Sequence, residues 1–211
     1  HSKQSNSSPS RRTDLTSAAL PVARPAGLPP REAVAPNAVI GMAIFLAAEA
    51  MFFAALISAF TITRITTPGA WPPPGQVRLP IAATAVNTGV LIASGVAVYF
   101  ARREYRIAAG RAATMLGAAL VLGAAFVVFQ GYECVRLIGE GLTMRSGPAG
   151  SFFYLLVGAH ALHAVAGLVA LVTARAKAKR GQLGPGFFTA TRLYWFFVVG
   201  LWPILYWRVY L

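Results

Sequence analysis

Acidic residues are scarce in this chain. Six Asp and Glu stand against 19 Lys and Arg, and charged residues make up only 12% of the 211 positions. A soluble domain of this length would carry about twice that charged fraction. Cysteine is scarcer still: Cys134 stands alone, which excludes an intrachain disulfide and a cysteine-based metal cluster. No nucleophile–base pair, phosphate-cradling glycine loop or His-Glu-x-x-His arrangement occurs, so catalysis by this chain alone is not expected. Residues 1–36 lack an apolar core of about 7–15 residues, so no secretory signal is expected within them. They are rich in Ser, Pro and Arg, and are expected to stay disordered until a partner or a membrane surface organises them.

What the chain has in place of charge is apolar sequence, gathered in blocks. Hydrophobic residues make up 56% of it, and the mean hydropathy is +0.60. A membrane-spanning helix needs roughly 20 apolar residues at a rise of about 1.5 Å each. Five blocks meet that length, at about residues 39–63, 79–101, 111–131, 151–173 and 190–210. The expected fold is therefore an all-α, five-helix membrane bundle over residues 37–211, preceded by the basic tail. The proline-rich stretch from Pro68 to Pro80 cannot continue a helix, and Gly139 to Gly150 reads as a turn-rich connector.

The net charge of +13 raises a nucleic-acid reading, which the pattern rejects. The basic residues cluster between apolar blocks, where orientation signals belong, and do not line one face among exposed aromatics. Counting the tail, Arg102, Arg103, Arg106, Arg111, Arg175, Lys177, Lys179, Arg180 and Arg192, one side holds 14 cations. The other holds Arg64, Arg78, Arg136, Arg145 and Arg208. This bias predicts the amino end inside and the carboxyl end outside. Trp71, Tyr99, Tyr154, Tyr194, Trp195, Tyr206, Trp207 and Tyr210 fall where headgroups would lie, and read mainly as an interfacial belt.

Against this background one stretch stands out. In AAEAMFF, Ala47 to Phe53, a single carboxylate interrupts an apolar run from Val39 to Ile62. A charge near a bilayer centre costs at least ~2.5–3.5 kcal/mol on insertion scales, so such residues usually have a role. Counting helical rise, Glu49 lies about 15 Å from the inner face and Asn87 about 12 Å from the outer one, with His160 and His163 about 14 and 18 Å deep. One central layer holds all four, which predicts a buried polar cluster. Histidines three apart share a helix face and can ligate a metal, but only Glu49 and Asn87 lie at their depth. The reading is therefore a hydrogen-bonded cluster without metal, with Glu49 as a neutral acid bonded to His160 or His163. Gln130 and Glu133 read as a polar pair near the outer end of the third span, Glu133 as a partly solvated helix-end carboxylate.

At these motifs the chain resembles subunit III of haem–copper oxidases. The family's small residue-Glu-x-Met-Phe-Phe stands here as Ala48, Glu49, Ala50, Met51, Phe52 and Phe53. Its Trp-Pro-Pro loop and Asn-Thr pair match Trp71, Pro72, Pro73, Asn87 and Thr88, with Ser94 further on. Phe126, Gln130 and Glu133 resemble its Phe-x-x-x-Gln-x-x-Glu segment. Gly150, Ser151, Phe153, Tyr154, His160, His163 and Gly167 resemble its Gly-Ser-x-Phe-[Phe/Tyr] segment with a histidine pair and glycine. These matches keep the family's order over residues 41–168.

Two departures accompany the resemblance. Longer members have seven helices, the first two closing a lipid-holding cleft, whereas this chain has five, like the shorter bacterial members. Where the last helix of the family reads Trp-His-Phe-x-Asp-x-x-Trp, the His and Asp positions here are Phe196 and Val199, between Trp195 and Trp202. The resemblance implies an accessory, non-catalytic subunit without a redox centre, in a bacterial plasma membrane. Such a subunit stabilises subunit I, supports its proton uptake and binds phospholipid, while haem and copper sit in partner subunits of the respiratory, proton-translocating complex. Arg175 or Lys177 would meet a lipid phosphate at the inner interface. Two alternatives remain open at this stage: an accessory subunit of a quinol oxidase or nitric-oxide reductase, and a proton-coupled transporter using Glu49 and the histidines.

Overall fold

The computed structural model describes residues 37–67, 79–105, 107 and 109–210. The basic tail, the Trp71-Pro72-Pro73 loop, Arg78 and Arg106 lie outside the described residues. Five helices account for nearly all of the rest: α1 (Asn37–Thr66), α2 (Ile81–Tyr105), α3 (Ala109–Gly139), α4 (Pro148–Lys179) and α5 (Pro185–Tyr210). All five are long and apolar enough to cross a membrane, as expected from the apolar blocks.

Each helix runs past its apolar block at one end or both, although α2 starts two residues inside its own, because hydropathy marks the bilayer and not the point where the backbone turns. α3 continues beyond residue 131 because nothing before Gly139 breaks it. Its end is closed by Gly141 at φ 96°, with the Leu142 N–H donating to the Leu137 carbonyl and the Gly141 N–H to Ile138. That pair of bonds is a Schellman cap, and the left-handed residue it needs is glycine. α4 ends in the same way at Gly181 (φ 67°), and opens with Pro148 just after Gly147 (φ 115°).

Four of the helices close a ring. α2 packs on α3, α3 on α4, α4 on α5, and α5 back on α2, whereas the backbones of the diagonal pairs α2–α4 and α3–α5 stay apart, α3 and α5 touching through side chains across the ring. α1 stands outside this ring and, among the described helices, packs only on α4 and α5. Its poor anchorage is visible in burial: Phe53 and Phe60 are its only buried residues.

Two tryptophans of α5 fill the ring. Trp195 and Trp202 are seven residues apart, hence on one face, and both are fully buried. Trp195 donates its indole N–H to the Ser94 hydroxyl at 3.1 Å, and Ser94 donates onward to the Ala119 carbonyl at 2.8 Å. Trp202 donates to the Thr88 hydroxyl at 3.0 Å, and Thr88 to the Thr84 carbonyl at 2.7 Å. Room for the Trp195 indole comes from two glycines. A Cβ at Gly123 would lie 2.7 Å from the indole, and one at Gly167 would lie 2.6 Å away. Trp195 is thus a core residue, not part of an interfacial belt, and Tyr194 and Tyr210 are buried as well. Aromatic composition near a span end does not reveal which way a ring faces; here each of these side chains finds a hydrogen-bond partner inside the bundle.

Candidate functional site

The polar residues of the interior divide between two places. At the seam of α1 and α4, Glu49 Oε2 lies 3.0 Å from His163 Nε2. The other ring nitrogen, Nδ1, is 2.7 Å from the Ala159 carbonyl oxygen. A carbonyl only accepts, so Nδ1 carries a hydrogen. The Nε2–Oε2 bridge then holds one proton, on either the carboxyl or the imidazole. Both placements leave the pair neutral as a unit, which is what a weakly polar surrounding favours. Aromatic rings complete the surroundings. Phe53 meets the His163 ring edge-on at 5.2 Å between centroids, and Tyr194 lies nearly parallel at 6.5 Å. The Tyr194 hydroxyl donates to the His163 carbonyl at 3.1 Å, so α5 joins the same junction. The Glu49 and His163 side chains keep 21% and 13% of their surface exposed, which places the pair at the edge of the fold and not at its centre.

The second place lies inside the ring, among α2, α3 and α5. Asn87 Nδ2 donates to the Phe126 carbonyl at 3.2 Å and to Gln130 Oε1 at 3.3 Å. Gln130 Nε2 in turn donates to the Tyr210 hydroxyl at 3.0 Å. This relay of amide, amide and phenol ties three helices together by side chains alone. Glu133 is next to it and is buried, 3% exposed, six residues before α3 ends. Its Oε2 has no hydrogen bond but lies 3.4 Å from Arg136, and Arg136 also pairs with Glu140 at 3.2 Å. The expected solvated helix end is replaced by a buried carboxylate with one flanking cation, because α3 extends two turns further than its apolar block. Glu133 does not bond to Gln130.

His160 joins neither group. It is 1% exposed, and neither ring nitrogen has a hydrogen-bond partner. Its ring stacks at 33° on Trp202, 4.8 Å between centroids, and meets Phe126 edge-on at 6.1 Å. Glu49, Asn87, His160 and His163, expected in one central layer, are thus not one cluster. Two physical reasons separate them. Residues three apart on a helix differ by about 60° in direction, enough at a corner to send His163 toward α1 and His160 into the ring. Asn87 sits on α2, which packs on neither α1 nor α4.

Arg175 and Lys177 also diverge, being two apart and so on different faces. Arg175 lies over Gly117 of α3, its Nε 3.0 Å from where a Cβ would be and without a hydrogen-bond partner. Lys177 Nζ stands 4.3 Å above the Phe187 ring of α5. Among the described residues no group of three or more His, Cys, Asp or Glu is placed to hold a metal ion.

Sequence reasoning missed Tyr210 as the end of the Asn87–Gln130 relay and Tyr194 as the clamp on His163. The available signal was spacing, since Tyr194, Trp195, Val198, Leu201, Trp202, Leu205 and Val209 trace one buried stripe along α5.

With this geometry in view, the chain can be set beside known proteins. A family model described as "Cytochrome c oxidase subunit III" matches residues 30–211, which takes in all five helices. A probable cytochrome c oxidase subunit 3 of Nocardia farcinica is 35% identical over 190 residues, 83% of this chain and 88% of that protein. The one of Mycobacterium leprae is 35% identical over 189 residues with the same coverage. The cytochrome c oxidase subunit 3 of Bacillus subtilis is 32% identical over 181 residues, 83% and 86% of the two chains.

Proposed function

The chain belongs to the cytochrome c oxidase subunit III family, the accessory membrane subunits of haem–copper oxidases, and from that premise we propose its place in the complex. It stands beside subunit I in a bacterial plasma membrane, amino end inside and carboxyl end outside. Haem and copper are held by the partner subunits, and this chain stabilises subunit I and supports its proton uptake. Arg175 or Lys177, at the inner ends of the α3–α4 and α4–α5 seams, meets a phospholipid phosphate there. The observation that carries this reading is the family match across every helix. The positions of the motif residues support it: Glu49 and His163 join α1 to α4, Asn87 and Gln130 join α2 to α3, and Ser94 receives Trp195.

Purification in mild detergent through a tag on this chain, followed by a reduced-minus-oxidised visible spectrum and an oxygen electrode, tests the proposal. Haem bands and oxygen consumption travelling with the tag are expected. Haem with nitric-oxide consumption would move the chain to a reductase complex. A pure chain with neither haem nor partners would overturn the reading.

A further inference from the structure

The α2–α5 seam carries two arginines that the roles above do not use. Contacts along it fix an antiparallel register. Gly95 faces Val199, a Cβ there falling 3.0 Å from Val199 Cγ1, while toward the inner end the rings of Tyr105 and Phe188 lie 4.9 Å apart. Advancing two turns from Gly95 along α2 reaches Arg102, and retreating two turns from Val199 along α5 reaches Arg192. The two arginines are therefore level along the seam, and Arg102 lies within Coulombic range of Arg192.

Nothing acidic separates them. Among the described residues neither arginine forms an ion pair, and Glu104, the acidic residue at this end, is paired with Arg111 at 3.8 Å. Arg192 is also held in place: its guanidinium carbon lies 5.7 Å from the rings of both Phe188 and Phe196, and its Nε is buried without a hydrogen-bond partner. Aromatic faces at this distance steady a cation without neutralising it. Two like charges held level repel, and an anion between them reverses the sign of that energy.

We infer that Arg102 and Arg192 form a binding site for a phosphate group at the α2–α5 seam, one guanidinium fork contributed by each helix. Phosphate is the anion that fits. Its oxygens accept two parallel N–H bonds from a guanidinium, a geometry that Arg provides and Lys does not. The depth fits too. Arg102 follows Ile81, the first residue of α2, by 21 residues, about 31 Å of helix, which crosses a hydrocarbon core and ends among headgroups. Arg102 is exposed, so the site opens on the outer surface of the ring. It lies on a different seam from Arg175 and Lys177 and does not rest on the reading made for them.

The test uses the full chain, tagged and purified with its partners. The variants are Arg102→Gln with Arg192→Gln, Arg192→Lys alone, and Arg103→Gln as a control outside the seam. Bound phospholipid is counted by extraction and mass spectrometry, and thermal midpoints are compared in inorganic phosphate and in chloride at equal ionic strength. If the phosphate is a lipid headgroup, the double variant loses about one phospholipid per chain, Arg192→Lys shows weaker retention, and Arg103→Gln matches the wild type. If it is free phosphate, lipid content is unchanged, and phosphate raises the midpoint of the wild type but not of the double variant. Equal lipid content together with an equal response to phosphate in all proteins overturns the inference. Should the double variant fail to assemble, Arg192→Lys carries the test, and unchanged retention and response there overturn it as well. Haem travelling with the tag reports separately on membership of the oxidase complex.

Discussion

Replacing Glu49 separates a polar tie from mere bulk at the α1 seam. Among the described helices α1 meets only α4 and α5, with Phe53 and Phe60 as its buried residues, so Glu49–His163 is a large share of its specific anchorage. In lipid no hydrophobic force drives helices together, and interhelical hydrogen bonds average about 0.6 kcal/mol with a maximum near 1.7 in measured cycles. His163 Nδ1 is committed to the Ala159 carbonyl, so a neutral imidazole presents Nε2 as an acceptor. Glu49→Gln therefore keeps the bridge, its amide N–H donating to that nitrogen. Glu49→Leu removes the bridge and strands Nε2, a loss of about 1–2 kcal/mol or roughly 5- to 30-fold in docking of α1. Co-purification of subunit I through a tag on this chain, followed over a detergent series, reads that loss. The expected order is wild type, then Gln close to it, then Leu well below, with partial recovery when His163→Leu is added to Glu49→Leu. Equal recovery of subunit I with the Gln and Leu variants would refute the reasoning, because the side chains differ in hydrogen bonding far more than in size.

Three further outcomes follow from the ring. Gly167→Ala should lower the thermal midpoint by the equivalent of about 1–3 kcal/mol through overpacking on Trp195, whereas Gly158→Ala, with nothing within 4 Å of the new Cβ, should leave it unchanged. Trp195→Phe and Ser94→Ala should each cost about 1 kcal/mol, and the double variant should cost clearly less than their sum, since both remove the same 3.1 Å bond; strict additivity would contradict the contact. Gln130→Leu should destabilise more than Tyr210→Phe, because it removes two bonds of the relay, leaving Asn87 only the Phe126 carbonyl, and equal or reversed effects in a denaturation series on the purified complex would contradict the relay.

The number of helices and their apolar blocks were legible from residue counts, because bilayer thickness acts directly on length. The meeting of Glu49 and His163 was legible from the constant rise per residue, which brings the two to the same level of neighbouring helices. Lateral position was not. Whether Asn87 faces Glu49 or Gln130 depends on which helices are neighbours, and hydropathy is blind to the order of helices around a ring. Burial of Trp195 was hidden in a different way, since it requires Gly123 on α3 and Gly167 on α4 to come to the same level, a coincidence of two other helices. The break before Gly141 was readable as a turn, but the length of α3 beyond its apolar block decided that Glu133 is buried.

The placement of α1 outside the ring also sets a timetable for assembly. Glu49 and His163 are 114 residues apart in the chain, and at ~5–20 residues per second the histidine emerges about 6–23 s after the carboxyl group. Throughout that interval α1 has been made and its partners have not. The carboxyl group must wait near the lipid without its histidine, where an unpartnered polar group is costly. A leucine at this position would enter the membrane more readily and then hold its place less well. The same side chain thus weighs against the first step of biogenesis and in favour of the last, and slowing synthesis between α1 and α4 should harm the wild type more than Glu49→Gln, which carries no charge at any stage.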